Sequence, residues 1–303
     1  MLTIQPSGKI LGATVRGVDL RQDLSREHFG AILRALGEHG VLCFPGQALE
    51  APDLRRFSSR FGDIQVIKGI PHHEPGMPEV TILSNVVVDG KPIGAPDAGQ
   101  SWHTDMTYAR TMGFVNVLSA FKVPMRDGRA LGGTEFANTQ AAAADLPAAL
   151  IERLTRLTAT HDIEYYWEYM RREKASTRPP LTEEQRRQRP PVHHPVLLTH
   201  PITRRPVIYV NPGFTVRIDG VSEAEGAELL RTLLDHVLRD KYRYVHEWTV
   251  GDLLLWDHLG TCHYARPDCG PDEHRLMKRC QVMATKIFDP DFLRESLVMG
   301  HAA

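Results

Sequence analysis

Two segments that lie far apart in the chain carry side chains suited to a single metal ion. The first reads Trp102-His103-Thr104-Asp105, and the second contains His263. His103 and Asp105 are two residues apart, so on an extended strand both side chains leave the same face. His263 must then approach them from a distant strand. The chain is therefore restricted to folds that bring residues 103–105 next to residue 263.

Two histidines and one carboxylate favour a mononuclear non-haem iron site. Such a facial triad fills one face of an octahedron and leaves the other positions open, which suits an oxygenase that binds Fe(II), a cosubstrate and O2. A catalytic zinc ion can take the same ligands and keep a water position. The sequence has no His-Glu-x-x-His helix, however, and a hydrolase has no particular use for the arginines that follow His263. Iron is therefore favoured over zinc.

Arg275, Arg279 and Thr134 provide hydrogen-bond donors for an organic acid. A planar guanidinium binds a carboxylate through two parallel hydrogen bonds, and a threonine hydroxyl can donate a third. In an iron site with open positions, the acid that fits is 2-oxoglutarate, whose keto oxygen and adjacent carboxylate chelate the metal. We expect its distal carboxylate to meet Arg275 and Thr134, which leaves one position for O2. The alternative is that both arginines are surface residues of a charged strand.

Further motifs extend over nearly the whole chain. Besides the Trp102 segment they are GATVRGVDL (12–20), HGVLCFPGQ (39–47), FSSRFG (57–62), GGT (132–134), HPV (194–196), YVN (209–211) and the stretch 256–279. In these motifs the chain resembles the taurine and 2,4-dichlorophenoxyacetate dioxygenases. Members of that family are Fe(II)- and 2-oxoglutarate-dependent hydroxylases of small organic acids.

The resemblance implies both a reaction and a set of site residues. In this reaction 2-oxoglutarate is decarboxylated to succinate and CO2 while a C–H bond of a small acid, such as an aryloxyalkanoate, a sulfonate or a related carboxylate, is hydroxylated. If the hydroxylated carbon bears a heteroatom, the product can collapse and cleave that bond. The implied residues are His103, Asp105 and His263 as iron ligands and catalytic centre, Thr134 and Arg275 as 2-oxoglutarate anchors, and Arg279 and Phe214 at the substrate.

The chain also departs from the family pattern. Taurine-type members place a histidine a few residues after their Arg-Phe-Gly motif to meet the sulfonate, and the segment 62–68 contains none. The usual Trp-Asp-Asn-Arg reads Trp256-Asp257-His258-Leu259 here. The first change argues against taurine as the substrate, and neither change affects an expected metal ligand.

Composition limits the partners. The 303 residues include 36 basic and 37 acidic side chains, so no overall charge attracts nucleic acid or a membrane surface. The four cysteines show no CxxC spacing, and Cys262 should point to the face of its strand opposite His263 as a packed thiol. With no secretory signal or long apolar stretch, we expect a cytoplasmic enzyme. We also expect a homo-oligomer, either a dimer or a tetramer.

Short strand patterns between Gly and Pro residues predict a mainly β fold with flanking helices, namely a double-stranded β-helix of the jelly-roll, cupin-like type. We expect one dioxygenase domain over residues 1–303. The predicted strands are 40–44, 80–84, 114–120, 207–210 and 252–256. The predicted helices run from Ser25 to about Glu38, from Ala51 to Phe61, from Asp145 through Leu157, and from Ser222 with Glu225 in a capping box.

The segment 165–194 begins with aromatic residues and becomes rich in charge and proline. This composition predicts a lid over an apolar substrate, although a solvated insertion would have a similar composition. Phe214 suits a pocket wall and suits ordinary core packing nearly as well. Two other functions remain open, a zinc-dependent metallohydrolase on the same fold and a non-catalytic jelly-roll binding protein.

Overall fold

The structure, a computed structural model, describes residues 1–66, 72–174, 176 and 178–297. Short β-strands dominate its backbone. The strands in chain order are β1 (Thr3–Pro6), β2 (Ala13–Arg16), β3 (Val41–Phe44), β4 (His73–Glu74), β5 (Met77–Ser84), β6 (Val87–Val88), β7 (Lys91–Pro92), β8 (Gly113–Lys122), β9 (Met125–Arg126), β10 (Arg129–Ala130), β11 (Thr134–Asn138), β12 (Thr158–His161), β13 (Val192–Pro195), β14 (Leu197–Thr199), β15 (Pro206–Ile208), β16 (Thr215–Asp219), β17 (Arg243–His246), β18 (Leu253–Asp257), β19 (Thr261–Ala265) and β20 (Leu276–Met283).

Helices separate and flank these strands. In chain order they are α1 (Arg26–His39), α2 (Ala51–Ser59), α3 (Thr139–Ala144), α4 (Ala148–Leu154), α5 (Ile163–Glu173), α6 (Glu183–Gln188), α7 (Glu223–Val237) and α8 (Pro290–Leu297), with a 3-10 turn at Asp240–Tyr242. Within the part of the chain that the structure describes, none of them is both long and apolar enough to cross a membrane.

Eight strands form one large mixed sheet in the order β1-β2-β3-β18-β8-β20-β5-β4. The pair β2 and β3 is parallel, and the other neighbours are antiparallel. Two smaller sheets have the orders β17-β11-β19 and β13-β12-β16. Because neighbours in these sheets come from distant parts of the sequence, residues near 103, 134, 263 and 275 can be brought together. The large sheet and its helices agree with the expected mainly β fold.

Aromatic packing fixes α1 and α2 on the large sheet. The ring of Phe61 lies 5.1 Å from that of Phe29, 5.3 Å from Phe57 and 6.4 Å from Phe114 on β8. A second apolar cluster joins α3 and α7 to the smaller sheets, and it contains the buried thiol of Cys262. Since side chains alternate along β19, the neighbouring His263 faces away from this cluster. The expectation that Cys262 is a packed thiol agrees with this position.

Two predicted helix starts are confirmed by their side-chain caps. The hydroxyl of Ser25 accepts the His28 N–H and opens α1, which ends at Gly40 in the left-handed region with φ of 66°. The hydroxyl of Ser222 accepts the Glu225 N–H and opens α7. Such caps satisfy backbone N–H groups that have no partner inside the helix. Local sequence was therefore sufficient for both helices.

The helix predicted to start at Asp145 begins later, at Ala148, with Pro147 as its N-cap residue. The Asp145 carboxylate instead accepts hydrogen bonds from Lys241 Nζ at 2.6 Å and Tyr242 Oη at 2.7 Å. A carboxylate used in this way does not cap a helix. Leu157 lies beyond the end of α4, so the predicted helix was also too long.

The segment 165–194 contains more regular structure than its composition indicated. Its aromatic start lies inside α5, which begins at Ile163, and α6 and part of β13 follow. Residues 175 and 177 of the segment lie outside the described residues. The basic and proline-rich composition of residues 171–191 therefore does not exclude helices.

A buried polar pair holds the turn that leads into β19. Asp257 and His200 are both fully buried, and the Asp257 Oδ2 atom lies 2.9 Å from His200 Nε2. His200 Nδ1 accepts two backbone N–H groups, so its proton is on Nε2 and is donated to Asp257. Asp257 also accepts the backbone N–H groups of Leu259 and Gly260. This carboxyl group therefore determines the path of the chain toward His263.

We expect Asp257→Ala to lower the free energy of unfolding by about 3–5 kcal/mol, because it leaves a buried imidazole and two backbone donors without an acceptor. Asp272→Asn, at an exposed position, should change it by less than about 0.5 kcal/mol. Urea unfolding followed by circular dichroism measures both. A loss below about 1 kcal/mol for Asp257→Ala would contradict this role of the pair.

Candidate active site

The three predicted ligand residues lie together and are buried. His103 Nε2 is 3.4 Å from Asp105 Oδ1, and His263 Nε2 is 3.6 Å from Asp105 Oδ2. One donor atom from each residue lies within 4.8 Å of the other two. Two neighbouring ligands on an octahedral ion with bonds of about 2.1 Å are about 3.0 Å apart. The spacing of these donors therefore fits one ion with only small side-chain adjustments.

The backbone around the first two ligands differs from the predicted strand. His103 forms a single antiparallel bridge with His263, through N–H to carbonyl bonds of 2.9 and 2.8 Å. The chain turns directly afterwards, and Met106 has a φ of 64°. The expectation of an extended strand over 103–105 was therefore wrong beyond His103. The Asp105 carboxylate is brought to the histidines by this turn, and not by the alternation of side chains along a strand.

Hydrogen bonds orient the His103 ring. Its Nδ1 lies 2.7 Å from the carbonyl oxygen of Ser101, so Nδ1 carries the proton and donates it. The lone pair of Nε2 then faces Asp105 and the centre of the triad. A backbone partner on the outer nitrogen is a common way of fixing a metal-binding imidazole.

The protonation states suit a cation site. Burial acts to raise the pKa of Asp105, but the neighbouring groups, above all the positive charge of Arg279, outweigh it, so this pKa lies well below its ordinary value. Burial and the neighbouring His103 hold the pKa of His263 well below its ordinary value. At neutral pH the carboxyl group is therefore charged and His263 is neutral, and both are then able to donate an electron pair to a metal ion.

Asn116 was missed in the sequence analysis. It lies in the middle of β8, is fully buried, and donates from Nδ2 to Asp105 Oδ2 at 3.1 Å. A single amide within the apolar strand GFVNVLSAFK is the signal that could have identified it. Asn116 fixes the orientation of the carboxylate from the side of the large sheet.

Arg279 has a different neighbour from the one expected. Its Nη1 lies 3.5 Å from Asp105 Oδ2, and both side chains are about nine-tenths buried. The guanidinium therefore already faces a carboxylate of the protein, and it also lines the cavity beside the triad. Sequence analysis assigned Arg279 to the substrate alone, and the structure adds Asp105 as a partner.

Arg275 lies in a neighbouring cavity of about 360 Å³, together with Ser84, Asn85, Arg266 and Cys269. In the described part of the chain no carboxylate pairs with its guanidinium, and its Nε has no hydrogen-bond partner. Burial lowers the pKa of Arg275 to about 10, so the group still carries its charge at neutral pH. Such a cation favours an anionic ligand, because an unpaired buried charge is costly.

Gly132 lies beside this arginine, two residues before β11 begins at Thr134. A Cβ atom on Gly132 would come within 3.4 Å of Arg275 Cδ, and Gly132 has a φ of 70°, so both space and backbone favour glycine. Thr134 is buried, and its Oγ1 accepts the indole N–H of Trp248 at 3.0 Å. The hydroxyl proton of Thr134 is therefore available for another acceptor.

A cavity of about 380 Å³ lies against His103 and Asp105. Phe214 forms part of its wall, with its ring centroid 6.1 Å from that of His103 and 4.8 Å from those of Tyr108 and Tyr166. The pocket interpretation of Phe214 therefore agrees with its position, although the residue is also 97% buried in a small apolar cluster. Phe214 is therefore one of four such aromatic residues in the wall, with Tyr108, Tyr166 and Trp167.

His72 also lines this cavity and was missed in the sequence analysis. The segment 62–68 contains no histidine, and its residues 67 and 68 lie outside the described residues. His72 reaches the pocket ten residues after Gly62, from the start of the β4–β5 hairpin. The pocket therefore does contain a histidine, at a position beyond that segment.

We expect Asn116→Ala to weaken Fe(II) binding by about 10–100-fold, because loss of the amide frees the Asp105 carboxylate to rotate. Anaerobic titration with Fe(II) measures the dissociation constant. Ser119→Ala, three residues further along β8 and on its opposite face, is the matched control and should leave that constant unchanged. Equal affinities of Asn116→Ala and wild type would show that Asn116 only fills space.

Comparisons with known proteins agree with this geometry. A family model described as taurine catabolism dioxygenase TauD, TfdA family, matches residues 3–281. Pentalenolactone F synthase of Streptomyces arenae is 32% identical over 93% of this chain and 94% of the relative. The α-ketoglutarate-dependent 2,4-dichlorophenoxyacetate dioxygenase of Cupriavidus pinatubonensis is 31% identical over 86% of this chain and 91% of the relative. A crystal structure of AAD-2 in complex with Mn(II) and N-oxalylglycine superposes with a TM-score of 0.76 at 25% identity, covering 94% and 98% of the two chains.

The family match extends over most of the chain and includes every predicted site residue. It confirms the predicted enzyme class, a 2-oxoglutarate-dependent non-haem iron dioxygenase with Fe(II) as its metal and 2-oxoglutarate and O2 as cosubstrates. A zinc hydrolase and a non-catalytic binding protein are no longer supported. The chain belongs to the TauD/TfdA family of dioxygenases.

Proposed function

We propose that this chain hydroxylates a small organic anion with an apolar body, such as an aryloxyalkanoate, a sulfonate or a related carboxylate. The observation that carries the proposal is a pair of adjoining cavities, one of which lies against the triad residues His103 and Asp105. One contains Arg275, and the other is lined by His103, Asp105 and Arg279. Both cavities are lined by residues 95, 96 and 98, so one segment separates them. The two cavities suit a cosubstrate and a substrate that approach the same metal.

In this proposal His103, Asp105 and His263 hold Fe(II). Bound Fe(II), with 2-oxoglutarate and O2, supplies the oxidation that converts a C–H group to an alcohol as 2-oxoglutarate becomes succinate and CO2. The protein supplies orientation, through Ser101 on the first imidazole and Asn116 on the carboxylate. We assign the architecture to a single double-stranded β-helix domain over 1–303, the jelly roll expected from the sequence.

We assign the distal carboxylate of 2-oxoglutarate to Arg275 and Thr134. Arg275 is buried, charged and without a carboxylate partner in the described structure. Thr134 accepts from Trp248 and so can donate its hydroxyl proton to an anion. Donors of this kind, one charged and one neutral, bind a carboxylate through charge-assisted hydrogen bonds.

Formal charge favours an anionic substrate. Fe(II) and the two arginines bring four positive charges and Asp105 brings one negative charge, so dianionic 2-oxoglutarate leaves one positive charge uncompensated. Arg178 and Arg189 also line the substrate cavity, and Arg178 is compensated by Asp97 at 2.8 Å. A monoanion bound near Arg279 would neutralise the remaining charge. The iron takes over part of the Asp105 charge, which leaves Arg279 free to meet the substrate.

The rest of the substrate cavity favours an apolar body. Its walls include Tyr108, Tyr166, Trp167 and Phe214, and polar groups such as His72 and Gln281 line other parts of it. Aromatic walls bind flat or hydrophobic groups through buried area and ring contacts. The relative from Cupriavidus, named for 2,4-dichlorophenoxyacetate, acts on an anion with an aromatic ring, which supports an aryl acid.

We assign the segment 165–194 as a lid over this cavity. Arg178 links it to the shared wall through Asp97, and the Arg178 guanidinium lies 4.7 Å from the centre of the Trp167 ring. The Trp167 indole N–H donates to the Pro179 carbonyl at 2.7 Å. The ion pair from Arg178 and the hydrogen bond from Ser176 to the same Asp97 carboxylate can break to admit substrate and reform to exclude water.

A panel of acids and their neutral amides tests the proposed substrate class. We expect the best acid to exceed its amide in kcat/KM by about thirtyfold or more, because the amide leaves a buried cation unpaired. O2 consumption and succinate release measure turnover, and His103→Ala should show neither. Arg279→Lys should retain part of the preference for acids, since it keeps the charge. Equal rates on acid and amide would exclude an anionic substrate group at Arg279.

The cosubstrate assignment predicts that Arg275→Leu raises the KM for 2-oxoglutarate roughly tenfold to a hundredfold, since a charge-assisted contact is worth about 1.5–3 kcal/mol. Arg266→Leu is the matched control, because Arg266 lines the same cavity but already pairs with Glu135 at 2.7 Å. Its KM should change little. An equal rise in both variants would show a general effect of charge in the cavity and not a specific contact.

A further inference from the structure

A second group of metal-binding side chains lies away from the triad. It comprises Cys43 on β3, His246 at the end of β17 and Asp252 just before β18. One donor atom from each residue lies within 4.8 Å of the other two, the same limit that the iron triad meets. In the described residues these two groups are the sets of three such side chains that could hold an ion. The second group is independent of the proposed function.

The geometry of the second group fits shared coordination. His246 Nε2 lies 3.2 Å from Asp252 Oδ2. Two ligands with bonds of about 2.0–2.1 Å on a tetrahedral zinc ion are about 3.3 Å apart. The 3.2 Å between His246 Nε2 and Asp252 Oδ2 therefore fits a direct hydrogen bond, and it fits equally well two ligand atoms bound to the same ion. A third ligand from Cys43 would leave one tetrahedral position open.

The difference in burial among the three residues allows an ion to enter from the side of Cys43. His246 and Asp252 are buried, with 8% and 5% of their surface exposed, whereas Cys43 is only partly buried. The backbone N–H of Thr249 also donates to Asp252 Oδ2 at 2.9 Å, and the Trp248 ring packs edge-on against His246 at 4.9 Å. Two of the three ligands are therefore held in place before any ion binds.

The donor types indicate which ion fits. A thiolate sulfur, an imidazole nitrogen and a carboxylate oxygen are the ligands that zinc takes, and a soft sulfur donor disfavours magnesium and calcium. The iron triad contains no sulfur, since Cys262 packs on the other face of its strand. Burial, followed by the effect of Asp252, raises the pKa of the Cys43 thiol to about 12, so binding must release a proton.

We propose that Cys43, His246 and Asp252 form a second metal site for Zn²⁺ or a similar thiophilic divalent cation, with one position open to water. The ion would connect β3 of the large sheet to β17 of a small sheet. His246 lies opposite Thr134 in the pairing of β17 with β11, and Trp248 contacts both residues. The site therefore lies beside the residues assigned to the cosubstrate and acts as a clip between two sheets.

Co(II) tests the proposal because a thiolate bound to Co(II) gives a charge-transfer absorption in the near ultraviolet, which histidine and carboxylate ligands do not. Titration of the protein with Co(II) under anaerobic conditions should produce this band. Its intensity should correspond to one thiolate-bound Co(II) ion per chain. Zn²⁺ should then remove it by competition. The active-site triad cannot contribute, so the band reports the second site even when Co(II) also occupies the first.

Cys43→Ser should abolish the band, and His246→Gln should weaken the binding that it reports by more than tenfold. Cys269→Ser is the matched control, because Cys269 is a partly buried thiol outside the group, and it should keep the band. Circular dichroism without metal checks that each variant is folded. If Cys43→Ser does not fold, the metal affinity of His246→Gln decides the question. Absence of the band in wild type, or its persistence in folded Cys43→Ser, would overturn the proposal. So would its loss in Cys269→Ser.

Discussion

The backbone bridge between His103 and His263 is the contact on which the active site depends. Two reciprocal hydrogen bonds of 2.9 and 2.8 Å join a turn after residue 101 to β19. They set the distance between the two imidazoles, whose ring centroids are 4.2 Å apart. The Asp105 carboxylate then completes the triad from the turn. Without this bridge the first two ligands would have no fixed position relative to the third.

Arg275, just before β20, and Arg279, within it, show how similar side chains acquire different surroundings. Arg279 lies 3.5 Å from Asp105 and keeps that carboxylate charged, whereas Arg275 has no carboxylate partner in the described structure. Arg275 lies immediately before β20, and Arg279 lies four residues later within the strand. Arg279 points to the triad and Arg275 to the neighbouring cavity. Under the proposed function, substrate and cosubstrate would each meet one of these arginines.

Supporting groups around the ligands are placed by different elements. Ser101 precedes the first histidine, Asn116 comes from the large sheet, and the His200–Asp257 pair fixes the turn before β19. Each is a hydrogen bond made away from water, where an unsatisfied partner is costly. The rigidity of the triad is therefore distributed over several strands.

The sequence alone determined the three candidate ligands that the structure brings together, the helix caps at Ser25 and Ser222 and the approximate positions of several strands, because these signals lie within a few consecutive residues. Only the tertiary structure decided that Asp105 reaches the triad through a turn, that Asn116 and Arg279 hold its carboxylate, and that His72 enters the pocket. It also placed Cys43 beside His246 and Asp252. Distances between such residues depend on the order and register of strands, which local sequence does not encode.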